Sequence, residues 1–167
     1  HDAVLALIEY PFDALYFTGF KSLDDAQCAL MGARAVYDGP VLISLVPNEE
    51  GMFSGGRTLS EGVALCDEYG ADVIGVVSDA PARVLVGFAK EMASSTDKPL
   101  LVDVSVRRKD RRQFEPTDEN PYPTADAIVE LAVRLRAQGV QFLRASGAAT
   151  PAYTGALLAT VGSSDVV

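Results

Sequence analysis

Residues 70–81 read Gly-Ala-Asp-Val-Ile-Gly-Val-Val-Ser-Asp-Ala-Pro. The apolar run inside this stretch is continuous rather than alternating, the pattern of a strand buried on both faces. Gly70 closes the element before it, and Asp79 with Pro81 opens a helix behind it, since a proline in the first turn loses no hydrogen bond. A buried strand passing directly into a helix is one unit of a parallel α/β sheet.

The same unit recurs outward in both directions. Strands are expected at residues 14–18, 41–46, 72–78, 99–105 and 140–145, each rich in Val, Ile, Leu or aromatic residues. Between them the helix ends are legible. Ser22 caps a helix over 23–37, with Asp24 and Asp25 in its first turn and Gly39-Pro40 stopping it. Thr58-Leu-Ser-Glu61 is a capping box for a helix ended by Gly70. The Asp79 and Pro81 helix runs to about Ala93, Thr124 opens a fourth that closes at Gly139, and Thr150-Pro151 opens a last one closing near Gly162. The residues before Tyr10 read as the end of a further helix. All-parallel strands with helices outside leave two architectures, a doubly wound open sheet or part of an eightfold barrel. Neither G-x-G-x-x-G nor G-x-x-x-x-G-K-[ST] occurs, so nucleotide-binding readings lose their usual support.

Composition narrows the function classes. The 167 residues are 49% hydrophobic and 22% charged, enough apolar material for one domain spanning 1–167. Fourteen Lys and Arg against 23 Asp and Glu give a net charge of −9, which disfavours nucleic acid and anionic membrane surfaces as partners. No apolar run reaches the ~20 residues of a membrane span, and no basic-then-apolar leader opens the chain, so it reads as cytoplasmic. Cys28 and Cys66 both fall in helical patterns among Ala and Leu and are expected to be core thiols. The single histidine is His1, and the chain does not begin with Met, which reads as a processed or cloned fragment.

Several stretches in order resemble the homocysteine S-methyltransferase family, the zinc-dependent barrel domain also found at the front of cobalamin-dependent methionine synthases. Phe17-Thr-Gly-Phe-Lys-Ser-Leu-Asp-Asp-Ala26 resembles F-E-T-x-x-S-L-x-E-A after that family's fourth strand, and Pro40-Val-Leu-Ile-Ser44 its fifth strand. Gly51-Met-Phe-Ser-Gly-Gly-Arg-Thr-Leu-Ser-Glu-Gly-Val-Ala64 resembles the glycine-bearing loop and helix that follow. Residues 70–78 resemble the sixth strand, G-A-D-A-I-G-x-N-C. Tyr122-Pro-Thr124 and Gly139-Val-Gln-Phe-Leu-Arg-Ala-Ser-Gly-Ala-Ala-Thr-Pro151 resemble the last helix and the closing G-G-C-C-G-T-T-P. The resemblance covers nearly the whole chain and implies an α/β fold, a parallel (β/α) barrel of TIM type, represented by about its last five β/α units as a partial barrel.

It also implies an activity, methyl transfer to the homocysteine thiol in methionine biosynthesis. The family holds zinc through three thiolates, one ending the sixth strand and two ending the eighth, and methylcobalamin, a methylfolate or an S-methyl sulfonium serves as donor in different members. The positions matching those thiolates are Ser78, Ser146 and Gly147. In that family the thiolates hold a zinc that takes the homocysteine sulfur as its fourth ligand and lowers that thiol's pKa, and two serines and a glycine supply no thiolate. The acid of F-E-T is Thr18, and the seventh-strand P-N-A-G-x-P gives way to Asp103-Val-Ser-Val-Arg107. The chain therefore reads as a diverged or pseudoenzyme member with no metal site and no cofactor of its own. The alternative is a non-catalytic ligand-binding or protein-interaction domain on the same scaffold.

Barrel chemistry sits at strand C-termini, so a small-molecule site is expected among Thr18, Ser44, Ser78, Asp103, Arg144 and Ser146, with Asn48, Asp79 and Ser105 nearby. For Asp79 and Ser44, helix capping or loop hydrogen bonding is the plainer reading. Asp103 and Arg144 carry charge near the ends of apolar strands, a costly arrangement unless they pair or face a cleft. Arg107-Arg-Lys-Asp-Arg-Arg112 places five basic residues in six positions, making Arg107, Arg108 and Arg111 candidates for an anion, against the default of a solvated loop. Residues 113–123, with three prolines, are expected to form an irregular excursion. A five-strand arc exposes two edges and an apolar inner face, so self-association, or dependence on a missing N-terminal part of a parent protein, is expected.

Overall fold

The structure is a computed structural model that describes residues 1–109 and 112–161. Five strands form one sheet: β1 (Leu15–Phe20), β2 (Val41–Leu45), β3 (Val73–Ser78), β4 (Leu100–Val106) and β5 (Val140–Gly147). All neighbouring pairs are parallel, and the order across the sheet is β1-β2-β3-β4-β5. A doubly wound sheet reverses direction after its first strands; this order never does, so the arrangement is an arc of a (β/α) barrel.

The helices are α1 (Asp2–Leu7), α2 (Leu23–Arg34), α3 (Leu59–Glu68), α4 (Ala82–Ser95), α5 (Val129–Ala137) and α6 (Pro151–Ala159). Two caps act as the sequence implies. The Ser22 hydroxyl accepts from the Asp25 N–H, and Thr58 and Glu61 form a reciprocal capping box. Helix α2 stops short of Tyr37 because Arg34, in its last turn, turns its guanidinium onto the Gly39 and Gly70 carbonyls at 2.7 and 2.6 Å and onto Asp72 at 2.7 Å. Past Thr124 the chain makes a 3-10 turn over Ala125–Ile128 before α5 begins, and Thr124 makes no side-chain cap. The closing Gly162 lies outside the described residues.

Pairing registers divide the strand residues between two faces. Val41, Ile43, Leu45, Ile74, Val76, Val102 and Val104 point to the helices and join the main hydrophobic cluster, almost wholly buried. The opposite, concave face carries Tyr16, Thr18, Ser44, Gly75, Leu101, Asp103, Ser105, Phe142, Arg144 and Ser146, as the register pairs Thr18 with Ser44, Ser44 with Gly75, Gly75 with Leu101 and Asp103 with Arg144. An apolar inner face left open to solvent is not what forms. Val73 and Leu101 are buried on this side, apart from the main cluster, while Phe142 at the β5 edge is exposed.

Glycine is required at one point of the concave face. A Cβ at Gly75 would collide with the carbonyl oxygen and Cβ of Leu101, so β3 and β4 approach here as only glycine permits. The thiol expectation needs one correction. Cys66 is buried on α3, but Cys28 is exposed on α2, because that helix packs through Leu23, Ala26, Leu30 and Ala33, and Cys28 falls outside that stripe.

Candidate functional site

The concave face joins residues from both ends of the sheet. Asp103, on β4, is 1% exposed and accepts from Arg144 Nη1, on β5, at 2.9 Å. Arg144 is half-exposed, and its guanidinium carbon lies 5.4 Å from the centre of the Tyr16 ring on β1. The Tyr16 hydroxyl meets Ser44 Oγ at 2.8 Å, and Ser44 donates to Thr18 Oγ1 at 3.0 Å. A serine has one hydroxyl proton, so with Ser44 donating to Thr18 the tyrosine donates to Ser44. The proton of Thr18, at the exposed end of the relay, is left for another acceptor.

Asp103 Oδ1 is buried and has no hydrogen-bond donor among the described residues. A buried carboxylate oxygen without a donor is costly, so its persistence in a folded protein calls for a partner or a role. Ser105 and Ser146 stand side by side in register toward the strand ends. Together these residues offer a cation, a buried carboxylate oxygen and a set of hydroxyls facing one concavity.

The anticipated residues thus fall into two groups. Thr18, Ser44, Asp103, Arg144 and Ser146 share the concave face. Ser44 is neither a cap nor a loop residue: it is fully buried within β2, where a strand interior forces its hydroxyl to find the partners it has. Ser78 follows the alternation of Ile74 and Val76, and its hydroxyl accepts from the Ala80 N–H at 3.1 Å, a local turn contact. Asp79 makes no helix cap, Pro81 occupying that position; it accepts from Arg107 Nε at 2.6 Å. That contact holds Arg107 above its ordinary pKa. Asn48 accepts from the Met52 N–H within its own loop. Arg108 borders a cleft beyond β4, and Arg111 lies outside the described residues. Tyr16 was not singled out in the sequence, although its position two residues before Thr18 puts it on the same strand face.

Whether the strand ends fit zinc is decided by their donor chemistry. Ser78 and Ser146 bear neutral hydroxyls. Gly147 has φ of +68°, and a Cβ there would lie 2.6 Å from the Val106 carbonyl oxygen. This backbone has no room for a thiolate at that position. Among the described residues no three His, Cys, Asp or Glu side chains converge as a metal site. The residues present do not fit the metal.

The fold is α/β, a parallel strand-and-helix arc of TIM-barrel type. No family model matches the sequence, and no curated protein matches it. Solved structures do. The homocysteine methyltransferase MmuM from Escherichia coli is similar in its apo form, with a TM-score of 0.73 at 17% identity over 94% of this chain and 52% of that one. Its oxidized form gives 0.75 at 17% identity, covering 93% and 48%. The chain spans about half the length of these methyltransferase structures. A dihydrodipicolinate synthase from Aquifex aeolicus is similar at a TM-score of 0.52 and 17% identity, over 96% of this chain and 69% of that one. At such identities the likeness shows the fold.

Proposed function

We propose that this chain is the C-terminal part of a barrel derived from the homocysteine S-methyltransferase family, one that has given up zinc-dependent thiol activation and binds a small polar ligand on its concave face. The carrying observation is Gly147, whose backbone excludes a side chain where the family places a thiolate. The order of the family-like stretches and the likeness to a homocysteine methyltransferase fold support the descent. Asp103 Oδ1 is the acceptor for a ligand ammonium or hydroxyl, while Arg144 and the free proton of Thr18 suit an anionic or carbonyl oxygen.

Elemental analysis and a methyl-transfer assay test this reading. Protein purified without chelator contains no stoichiometric zinc and forms no methionine from homocysteine with methylcobalamin, a methylfolate or S-methylmethionine as donor. One zinc per chain that survives mutation of both cysteines would overturn it.

A non-catalytic interaction domain is the second reading, and the sheet edges favour it. Beside β1 a groove of about 420 Å3 is lined by Leu7, Tyr10, Phe12 and Phe17. Beside β5 another of about 390 Å3 is lined by Phe142, Leu157, Leu158 and Val161. Within a complete barrel both edges would be covered by the remaining β/α units; in the chain alone a second copy is the proposed cover.

A further inference from the structure

We propose that the cleft beyond the C-terminal ends of β4 and β5 binds a soluble phosphomonoester through its dianionic phosphate. The cleft, about 670 Å3, opens between residues 106–109, 123–125 and 148–153. Its volume suits a small ligand, since such sites run from about 300 to 1,000 Å3, and phosphate would fill only part of it. The inference does not depend on any methyl-transfer chemistry.

Three consecutive cations form one wall, and they differ. Arg107 is largely neutralised by Asp79. Lys109 Nζ sits over the Phe114 ring at 5.2 Å and makes no hydrogen bond or ion pair among the described residues. Arg108 has no hydrogen-bond or ion-pair partner among the described residues. Among the described residues neither Arg108 nor Lys109 has an ion pair, while the acids near this wall, Asp79, Glu119 and Glu49, act on Arg107; in a chain of net charge −9 these two cations make a local site for a dianion.

The facing wall adds donors. Thr124 and Thr150 both line the cleft, and neither uses its hydroxyl to cap the helical turn that follows it. The first turn of α6 also contributes its partial positive charge. A phosphate, with its several acceptor oxygens, can use all these donors together, whereas a carboxylate has only two. The wall is braced: Tyr153 donates to the Tyr122 carbonyl and Tyr122 to the Ala80 carbonyl, both at 2.9 Å, and both tyrosines are buried. The strongly acidic whole opposes approach to an anionic bilayer, so the phosphate is on a free molecule rather than a lipid headgroup.

Calorimetric titration of the intact chain with inorganic phosphate and with glycerol 3-phosphate tests the site. Saturable binding at one site per chain is expected, weakened about tenfold or more in Arg108→Ala/Lys109→Ala, because charge-assisted contacts are the strong ones. Ala152→Phe fills the cleft without changing charge and should also weaken it. Lys90→Ala, an exposed cation on α4, should bind like the parent. Melting curves confirm that each variant is folded. Undiminished affinity in either cleft variant, an equal loss in Lys90→Ala, or binding to phosphatidic acid vesicles without binding to the soluble compounds would overturn the proposal.

Discussion

The guanidinium of Arg144, on the last strand of the sheet, lies 5.4 Å from the centre of the Tyr16 ring, on the first. Five strands in sequential order would hold these residues far apart on a flat sheet, at about 4.8 Å per strand. Their contact therefore measures the curvature: the sheet rolls until one long side chain bridges its two edges. The same guanidinium neutralises the buried Asp103 on the neighbouring β4, so one residue on the β5 rim ties the strand beside it to the opposite rim.

Arg144→Ala leaves a buried carboxylate without a counter-ion and should cost about 2 kcal/mol, below the usual figure for a fully buried pair because the arginine is half-exposed. Urea unfolding measures it. In an Asp103→Asn background the same substitution should cost less than half as much, and an unchanged cost there would show that the pairing is not what the arginine provides.

Two glycines should respond in opposite senses to alanine. Gly75→Ala forces a Cβ into the Leu101 backbone and should destabilise by about 3 kcal/mol, as overpacking against main chain does. Gly87, within α4, has open space around the added methyl. Gly87→Ala should stabilise by about 0.5–1 kcal/mol through helix propensity. Thermal melts of the pair compare the two directly.

Thiol chemistry should separate the cysteines. Burial pushes the Cys66 thiol up to about 12, while Cys28 is exposed on α2. Ellman's reagent at pH 8 should titrate one thiol in the native chain and two after denaturation. Because the folded state keeps the Cys66 proton and the unfolded chain releases it near 8.5, this stabilisation is complete below about 8.5 and declines as pH rises further, by up to about 1.4 kcal/mol per unit. Cys66→Ala should flatten the stability profile above that pH.

The rims predict behaviour in solution. With apolar grooves beside both β1 and β5, light scattering over a concentration series should show association of the chain alone. Adding a charge at Phe142, as in Phe142→Glu, should shift the distribution toward monomer. A monodisperse monomer that binds no hydrophobic dye would contradict this.

The strands were legible because most of their helix-facing residues are Val, Ile or Leu, a pattern few alternatives can bury. Their ends were less so. Strand β1 runs on to Phe20 because its register shifts between Thr18 and Phe20, with Gly19 at φ of +91°, a change that no periodicity announces. The pairing of Asp103 with Arg144 could be anticipated from two charges on adjacent apolar strands. The place of Ser44 could not, because its role depends on Tyr16 and Thr18, 28 and 26 residues earlier in the chain. Cys28 misled because alanine is equally at home inside and outside a helix, which leaves the buried face of α2 ambiguous by a turn.

Since every strand lies beside its successor in the chain, no pairing in the sheet waits for a distant segment to arrive. Each contact closes a loop of roughly one strand-helix-strand unit, the shortest parallel connection available. Such a chain can assemble by accretion as it leaves the ribosome, β2 settling against β1 before β4 has been synthesised. The side chain that bridges the rims belongs to β5, so the curvature of this arc would be locked only once its fifth strand has emerged.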